Sequence, residues 1–219
     1  MTNLFDLKTF HIPVSQGPIV SIILILLVFV PMLLCVAWMT IIERKVMGSM
    51  QRRIGPNVVG YYGVLQPFAD ALKCVVKEQI IPAQSNKALF FLAPMISLVF
   101  SLLGWAPIPF GPGMAITDIS IGILFSLAVS SIGVYGALFA GWAANSKYSF
   151  LGSLRATAQM VSYELIFSTC VFAVVLLAGS LNFTTIVQAQ TAIWFIVPLF
   201  PIFILYLISA LAELNRTPF

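Results

Sequence analysis

Residues 19–42 read IVSIILILLVFVPMLLCVAWMTII, an apolar run of 24 residues without a charge. About 20 such residues, wound as a helix, cross the roughly 30 Å hydrocarbon core of a bilayer. Four further stretches of the same character follow, at 88–106, 119–144, 156–178 and 192–212. Composition agrees with the pattern. Of 219 residues, 60% are hydrophobic and 8% are charged, whereas a soluble domain carries about 25% charged residues. No soluble fold of this length has an interior for that much apolar surface, so lipid is the solvent for most of the chain. The reading is an all-α integral membrane protein, one domain over 1–219 with five transmembrane helices.

The basic residues divide the chain in the same way. Lys8 precedes the first span. The first loop holds Arg44, Lys45, Arg52, Arg53, Lys73, Lys77 and Lys87, and the third holds Lys147 and Arg155. The second and fourth loops hold none, and Arg216 follows the fifth span. Cytoplasmic or matrix loops are the ones enriched in Lys and Arg. The first and third loops are therefore expected inside and the N-terminus outside. The net charge of +4 is a topology signal, and no nucleic-acid partner is expected.

Residues 64–80 within the first loop form an amphipathic pattern. Gln66, Asp70, Lys73 and Lys77 recur at spacings of 4, 3 and 4, with Phe68, Leu72, Val75 and Val76 opposite. This predicts a helix lying along the membrane surface or tucked under the other helices, opened by Pro67 and stopped by Pro82. Small residues recur every four along the third span, at Gly122, Ser126, Ser130 and at Gly133, Ala137, Gly141. Such rows let helices approach closely in lipid. Pro198 and Pro201 predict a break in the fifth span.

Glu164, in the middle of the fourth span, is the sharpest candidate for chemistry. A charged side chain at mid-bilayer costs about 2.5–3.5 kcal/mol on insertion scales. It is either a proton-relay group or a structural acid bonded to Ser162, Tyr163 or a neighbouring helix. Glu213 closes the fifth span and reads equally as an interfacial carboxylate. The Asp70–Lys73–Lys77 stripe reads as a solvated face with i,i+3 pairing, or as a functional surface. Glu43, Arg44, Lys45, Gln51, Arg52 and Arg53 form a topogenic cluster or a site for a polar headgroup, lipid or quinone. Cys35, Cys74 and Cys170 lack metal or redox spacing, and His11 is the only histidine. No metal site and no catalytic triad, phosphate loop or dinucleotide fingerprint is expected.

Three longer motifs carry more information than their spacing. Residues 43–57 read ERKVMGSMQRRIGPN and continue as VVGYYGVLQPFADALKCVVKE to Glu78. Residues 141–164 read GWAANSKYSFLGSLRATAQMVSYE, and 210–219 read ALAELNRTPF. In this order and at these topological positions, they resemble the quinone-channel membrane subunit family (subunit 1) of respiratory complex I, NADH:ubiquinone oxidoreductase. The resemblance runs from about the first span to Phe219.

The resemblance implies a core membrane subunit of a proton-translocating NADH:ubiquinone oxidoreductase in the mitochondrial inner membrane, or a bacterial plasma membrane. The N-terminus would lie on the intermembrane-space side. It implies that Thr40, Glu43, Arg44, Gln51 and Arg53 border the quinone channel. It implies relay positions at Asp70, Lys73, Glu164 and Glu213, and the start of a quinone loop at Arg216 and Phe219. Ubiquinone would be the substrate, with NADH, FMN and iron–sulfur clusters in partner subunits and no cofactor or independent activity in this chain. Expected partners are peripheral-arm and membrane-arm subunits, membrane lipids and a separate C-terminal fragment of the same subunit. Leu214 and Ile54 depart from residues common in the family, and neither is a proposed functional side chain. The alternatives are a membrane subunit of a related hydrogenase, and a secondary transporter or ion channel. The lack of an internal repeat argues against the transporter.

Overall fold

A computed structural model describes residues 17–111 and 115–214. Among the described residues are seven α-helices, one short 3₁₀ turn and no strand. The helices are α1 Gly17–Met50, α2 Gln66–Val76, α3 Lys87–Leu103, α4 Gly122–Ala143, α5 Lys147–Ala178, α6 Phe183–Ala189 and α7 Phe200–Glu213. Three of them are long and apolar enough to span a membrane alone, over Ile22–Met50, α4 and α5. The shorter apolar helices α3 and α7 fall at the other two expected spans. The chain is an all-α integral membrane protein. By contacts it divides into two compact units, one holding α1 and α2, the other α3 to α7.

In the first unit, α1 has 34 residues, roughly 50 Å at 1.5 Å per residue. That exceeds the hydrocarbon core by about 20 Å. Glu43–Met50, beyond the expected end at 42, supplies roughly 12 Å of this, because that segment contains no proline to stop a helix. The helix stops where Arg52 turns into the left-handed region, at φ 54. The peptide N–H of Arg53 then donates to the Gly48 carbonyl at 2.9 Å. A Cβ on Gly48 would stand 3.1 Å from the Arg53 carbonyl and 3.2 Å from the Gly55 nitrogen. Any larger residue at 48 would push this fold-back of GSMQRRIGPN apart by a few tenths of an ångström. A 3₁₀ turn at Tyr61–Gly63 leads into α2, which carries Pro in its first turn.

In the second unit, α4 packs on α3 and α5, and α5 also packs on α7 and α6. The peptide N–H of Asn86 donates to the Ala143 carbonyl at 3.0 Å, and the Asn145 amide to the Gln84 carbonyl at 3.1 Å. These bonds tie the N-terminal end of α3 to the C-terminal end of α4. Small residues set the closest approaches. A Cβ on Gly141 would lie 3.0 Å from the Ser149 carbonyl of α5, and one on Gly136 would lie 3.0 Å from the Ala93 carbonyl of α3. Gly141 belongs to an expected row. Gly136 follows Gly133 by three residues, on the i+3 ridge that a four-residue period overlooks.

Several boundaries differ from the sequence reading. α5 starts at Lys147 rather than 156, because Ser146 caps it through the Ser149 N–H at 3.2 Å. It ends at Gly179 in the left-handed conformation, φ 68, the common C-terminal stop. α6 was not expected. Asn182 caps it by accepting from the Thr184 N–H at 2.7 Å, and the Asn182 amide donates to Asp118 at 2.7 Å. α7 begins at Phe200 instead of 192, after a run of turns that contains Pro198. Proline supplies no N–H to continue a helix backwards. Phe195, Ile196 and Leu199 line a cavity of about 510 Å³ together with side chains of α4, α5, α6 and α7, while Ile193, Trp194 and Val197 of the same stretch are exposed.

Candidate functional site

The polar residues gather in two places, one in each unit. In the first unit, Arg44 near the end of α1 donates to Asp70 on α2 at 2.6 Å. The Gln66 amide donates to the other Asp70 oxygen at 3.0 Å. Asp70 therefore pairs across to α1, not along its own helix with Lys73. The Arg44 hydrogen bond, then that from Gln66, holds the Asp70 carboxyl below the usual carboxylate range, with the charges of Arg44 and Lys73 adding to this against a partial desolvation. The two side chains stay 49% and 39% exposed, so the pair joins α1 to α2 without great stabilisation. The Lys45 ammonium donates to the Tyr62 carbonyl and sits 5.6 Å over the Tyr62 ring.

The remaining candidates of this unit are placed as follows. Arg53 donates to Gln51 at 2.7 Å. The Thr40 hydroxyl is spent on the Ala37 carbonyl of its own helix at 2.7 Å. Glu43 is half-buried, and Lys73 is exposed. Arg216 and Phe219 lie outside the described residues. What the unit presents is a basic, tyrosine-lined surface with one locked carboxylate, suited to a polar headgroup carrying hydrogen-bond acceptors.

In the second unit, the two candidate acids belong to one polar layer. The Ser131 hydroxyl donates to Glu164 at 2.6 Å, and the Ser130 hydroxyl to Glu213 at 3.2 Å. Consecutive residues on a helix point about 100° apart. Two adjacent serines at the centre of α4 can thus serve two different helices, α5 and α7. The Gln159 amide of α5 donates to the Ala212 carbonyl of α7 at 2.9 Å, beside Glu213. The Phe167 and Tyr206 rings pack at 4.9 Å between the same two helices. Ser162, one of the expected partners of Glu164, instead donates to the Ala158 carbonyl at 2.7 Å.

The energetics of the layer are coherent. A hydrogen bond to a charged group contributes about 1.5–3 kcal/mol, comparable to the cost of one mid-membrane carboxylate. For Glu164 the Ser131 hydroxyl offsets part of that cost. Sequence reasoning treated Ser130 as a packing residue and missed Ser131 and Gln159. The signal for the serines was present: a Ser-Ser pair at the centre of an apolar helix, level with an acid in the next one.

Known proteins carry similar sequences. The NADH dehydrogenase family model matches residues 23–219. NADH-ubiquinone oxidoreductase chain 1 of Mycosarcoma maydis is 71% identical over 89% of this chain and 59% of its own length. The protein of the same name from Podospora anserina is 59% identical, over 92% and 55%. A bacterial relative, an NADH-quinone oxidoreductase subunit from Rhodospirillum centenum, is 55% identical, over 89% and 58%. The chain spans somewhat more than half the length of these curated relatives.

Proposed function

This chain belongs to the NADH dehydrogenase family, and from that premise we propose that it acts as part of the core membrane subunit of a proton-translocating NADH:ubiquinone oxidoreductase. The names of its relatives, NADH-ubiquinone oxidoreductase chain 1 in fungi and an NADH-quinone oxidoreductase subunit in bacteria, support the assembly and the substrate class. Its fungal relatives support the mitochondrial inner membrane. The loop charges support an inner face built from the loops after α1 and after α4. Cys35, Cys74 and Cys170 sit on α1, α2 and α5, and no ligating group of three forms among the described residues. The proposal therefore places the iron–sulfur clusters, and with them FMN and NADH, in partner subunits.

The observation that carries the proposal is the pair of intramembrane acids held by Ser130 and Ser131. Ubiquinone reaches the inner end of α1, where Arg44, Gln51 and Arg53 offer donors to its oxygens. Its reduction draws protons and changes the local charge. Glu164 and Glu213 respond by exchanging protons and pass the change sideways along the membrane. Glu43, Asp70 and Lys73 set the polar boundary between the quinone region and the inner aqueous phase. Glu164→Gln tests this. The assembly should persist and still oxidise NADH with a water-soluble acceptor, while ubiquinone reduction and proton pumping fall together. Unchanged pumping in that variant overturns the relay assignment.

A further inference from the structure

The turn between α1 and α2 holds three residues at positive φ, Gly60 at 76, Tyr62 at 53 and Gly63 at 74. Two are glycines, which reach that region as readily as any other. A Cβ on Gly63 would run into the Pro56 carbonyl. Tyr62 lies in the left-handed region, with ψ 24, where a bulky side chain is an outlier. Such outliers persist when their surroundings over-determine them, and they gather at ligand clamps. The neighbour that holds this one is Lys45 of α1. Its ammonium donates to the Tyr62 carbonyl and lies 5.6 Å from the centre of the Tyr62 ring, within cation–π range. One side chain thus fixes both the main chain and the ring. The Tyr61 ring stands at 87° to that of Tyr62, with centres 4.6 Å apart. Tyr62 nonetheless stays 61% exposed.

A ring kept at the surface against its backbone preference is kept for what it can touch. A simple interfacial anchor needs an aromatic side chain at this level. Tyr61, 84% exposed and free of a positive φ, supplies one without strain. Lys45 lies three residues past the charge-free run that ends at 42, roughly 4.5 Å along the helix. That is the level at which the headgroup of a molecule carried in the bilayer meets water. In the proposed function, Arg44, Gln51 and Arg53 serve the quinone oxygens, and no residue serves the quinone ring. We propose that Tyr62 is the ring contact for the quinone headgroup and that Lys45 is its positioning residue. The assignment rests on the ubiquinone reading above and deepens it. A flat ring is what a phenol face recognises by stacking. A lipid phosphate would use the Lys45 charge and leave the strained tyrosine without a purpose.

The test uses the intact assembly in native membranes. KM and kcat are measured with a short-chain ubiquinone, and the amount of particle is read on a native gel. Tyr62→Gly relieves the backbone, so the particle should be at least as abundant as in wild type. Its KM should rise roughly 2- to 10-fold, the size of one aromatic contact. The kcat should hold, as it does when a group binds ground and transition states alike. Tyr62→Phe keeps the ring and should recover most of the lost affinity. Lys45→Met should raise KM in the same way, and Tyr62→Gly added to it should cost little more, because Lys45 acts through Tyr62. A wild-type KM in Tyr62→Gly overturns the assignment. So does loss of particle in that variant, which makes the ring a packing contact within the assembly. A wild-type particle that reduces no ubiquinone overturns the proposed function and the assignment with it. An unchanged KM in a particle that does reduce ubiquinone overturns the assignment alone.

Discussion

Ser131→Ala removes the hydroxyl that meets Glu164, a contact that at 2.6 Å is shorter than the one to its alternative acceptor, the Leu127 carbonyl at 3.0 Å. The bond it deletes is 2.6 Å long, within the range of charge-assisted O–H···O⁻ contacts. Such a bond contributes about 1.5–3 kcal/mol, and at about 1.4 kcal/mol per factor of ten this is roughly 10- to 100-fold in any equilibrium that depends on it. The neighbouring bond from Ser130 to Glu213 is 3.2 Å, longer than the usual O–H···O distance. The structure therefore sets a rank order, with Ser131→Ala more harmful than Ser130→Ala. The assay is ubiquinone reduction and proton uptake in sealed vesicles, normalised to NADH oxidation by a water-soluble acceptor. That normalisation counts assembled particles, so a fall in the ratio reports function and not yield. Ser131→Thr keeps the hydroxyl and should restore most of the loss, which a purely structural role for the small side chain would not predict. Wild-type turnover in Ser131→Ala, or a larger defect in Ser130→Ala, refutes the reasoning.

Other outcomes follow from the same geometry. Asp70 is held low by Arg44, so its contribution is fully present above the ordinary carboxylate range and is lost only as pH falls through the depressed value. Across the neutral range the effect of Asp70→Asn on quinone affinity should be flat with pH, and the Arg44–Asp70 coupling in a double-mutant cycle should be small, as it is for exposed pairs. Gly136→Val should lower the amount of assembled particle on a native gel, since overpacking costs about 1–3 kcal/mol and its Cβ meets Ser97 and the Ala93 carbonyl. Gly152→Ala, with nothing within 4 Å of the added carbon, should leave the amount of particle unchanged or raise it. Asn182→Ala removes both the α6 cap and the bond to Asp118. It should cost about 1 kcal/mol or somewhat more, read as a lower midpoint of thermal inactivation.

Much of the fold was legible because lipid imposes simple demands. A charge-free stretch such as 19–42 has one solution, and α1 occupies it. What escaped was local. No proline in Glu43–Met50 marks an end, so α1 runs on until Arg52 leaves helical geometry. The caps Ser146 and Asn182 are short polar residues in loops, and their meaning appears only when the following N–H turns toward them. Pro198 was read as a break, but the length of the unwound stretch depends on the cavity it lines. The candidate site divides similarly. Glu164 announces itself through its cost. Asp70 did not announce Arg44, because a partner 26 residues away lies outside any helical spacing rule. Ser131 was hidden because a serine in an apolar helix reads as a packing residue until an acid is placed opposite it.

The central claim is that the α4–α5–α7 layer exchanges protons when quinone is reduced. Infrared difference spectroscopy of the carboxylic acid C=O stretch, triggered by quinone reduction in the purified assembly, measures this directly. The expected result is a change in that band which shifts in deuterated water and is lost in Glu164→Gln and in Glu213→Gln. A band that does not respond to quinone reduction, or that survives both substitutions, would contradict the claim.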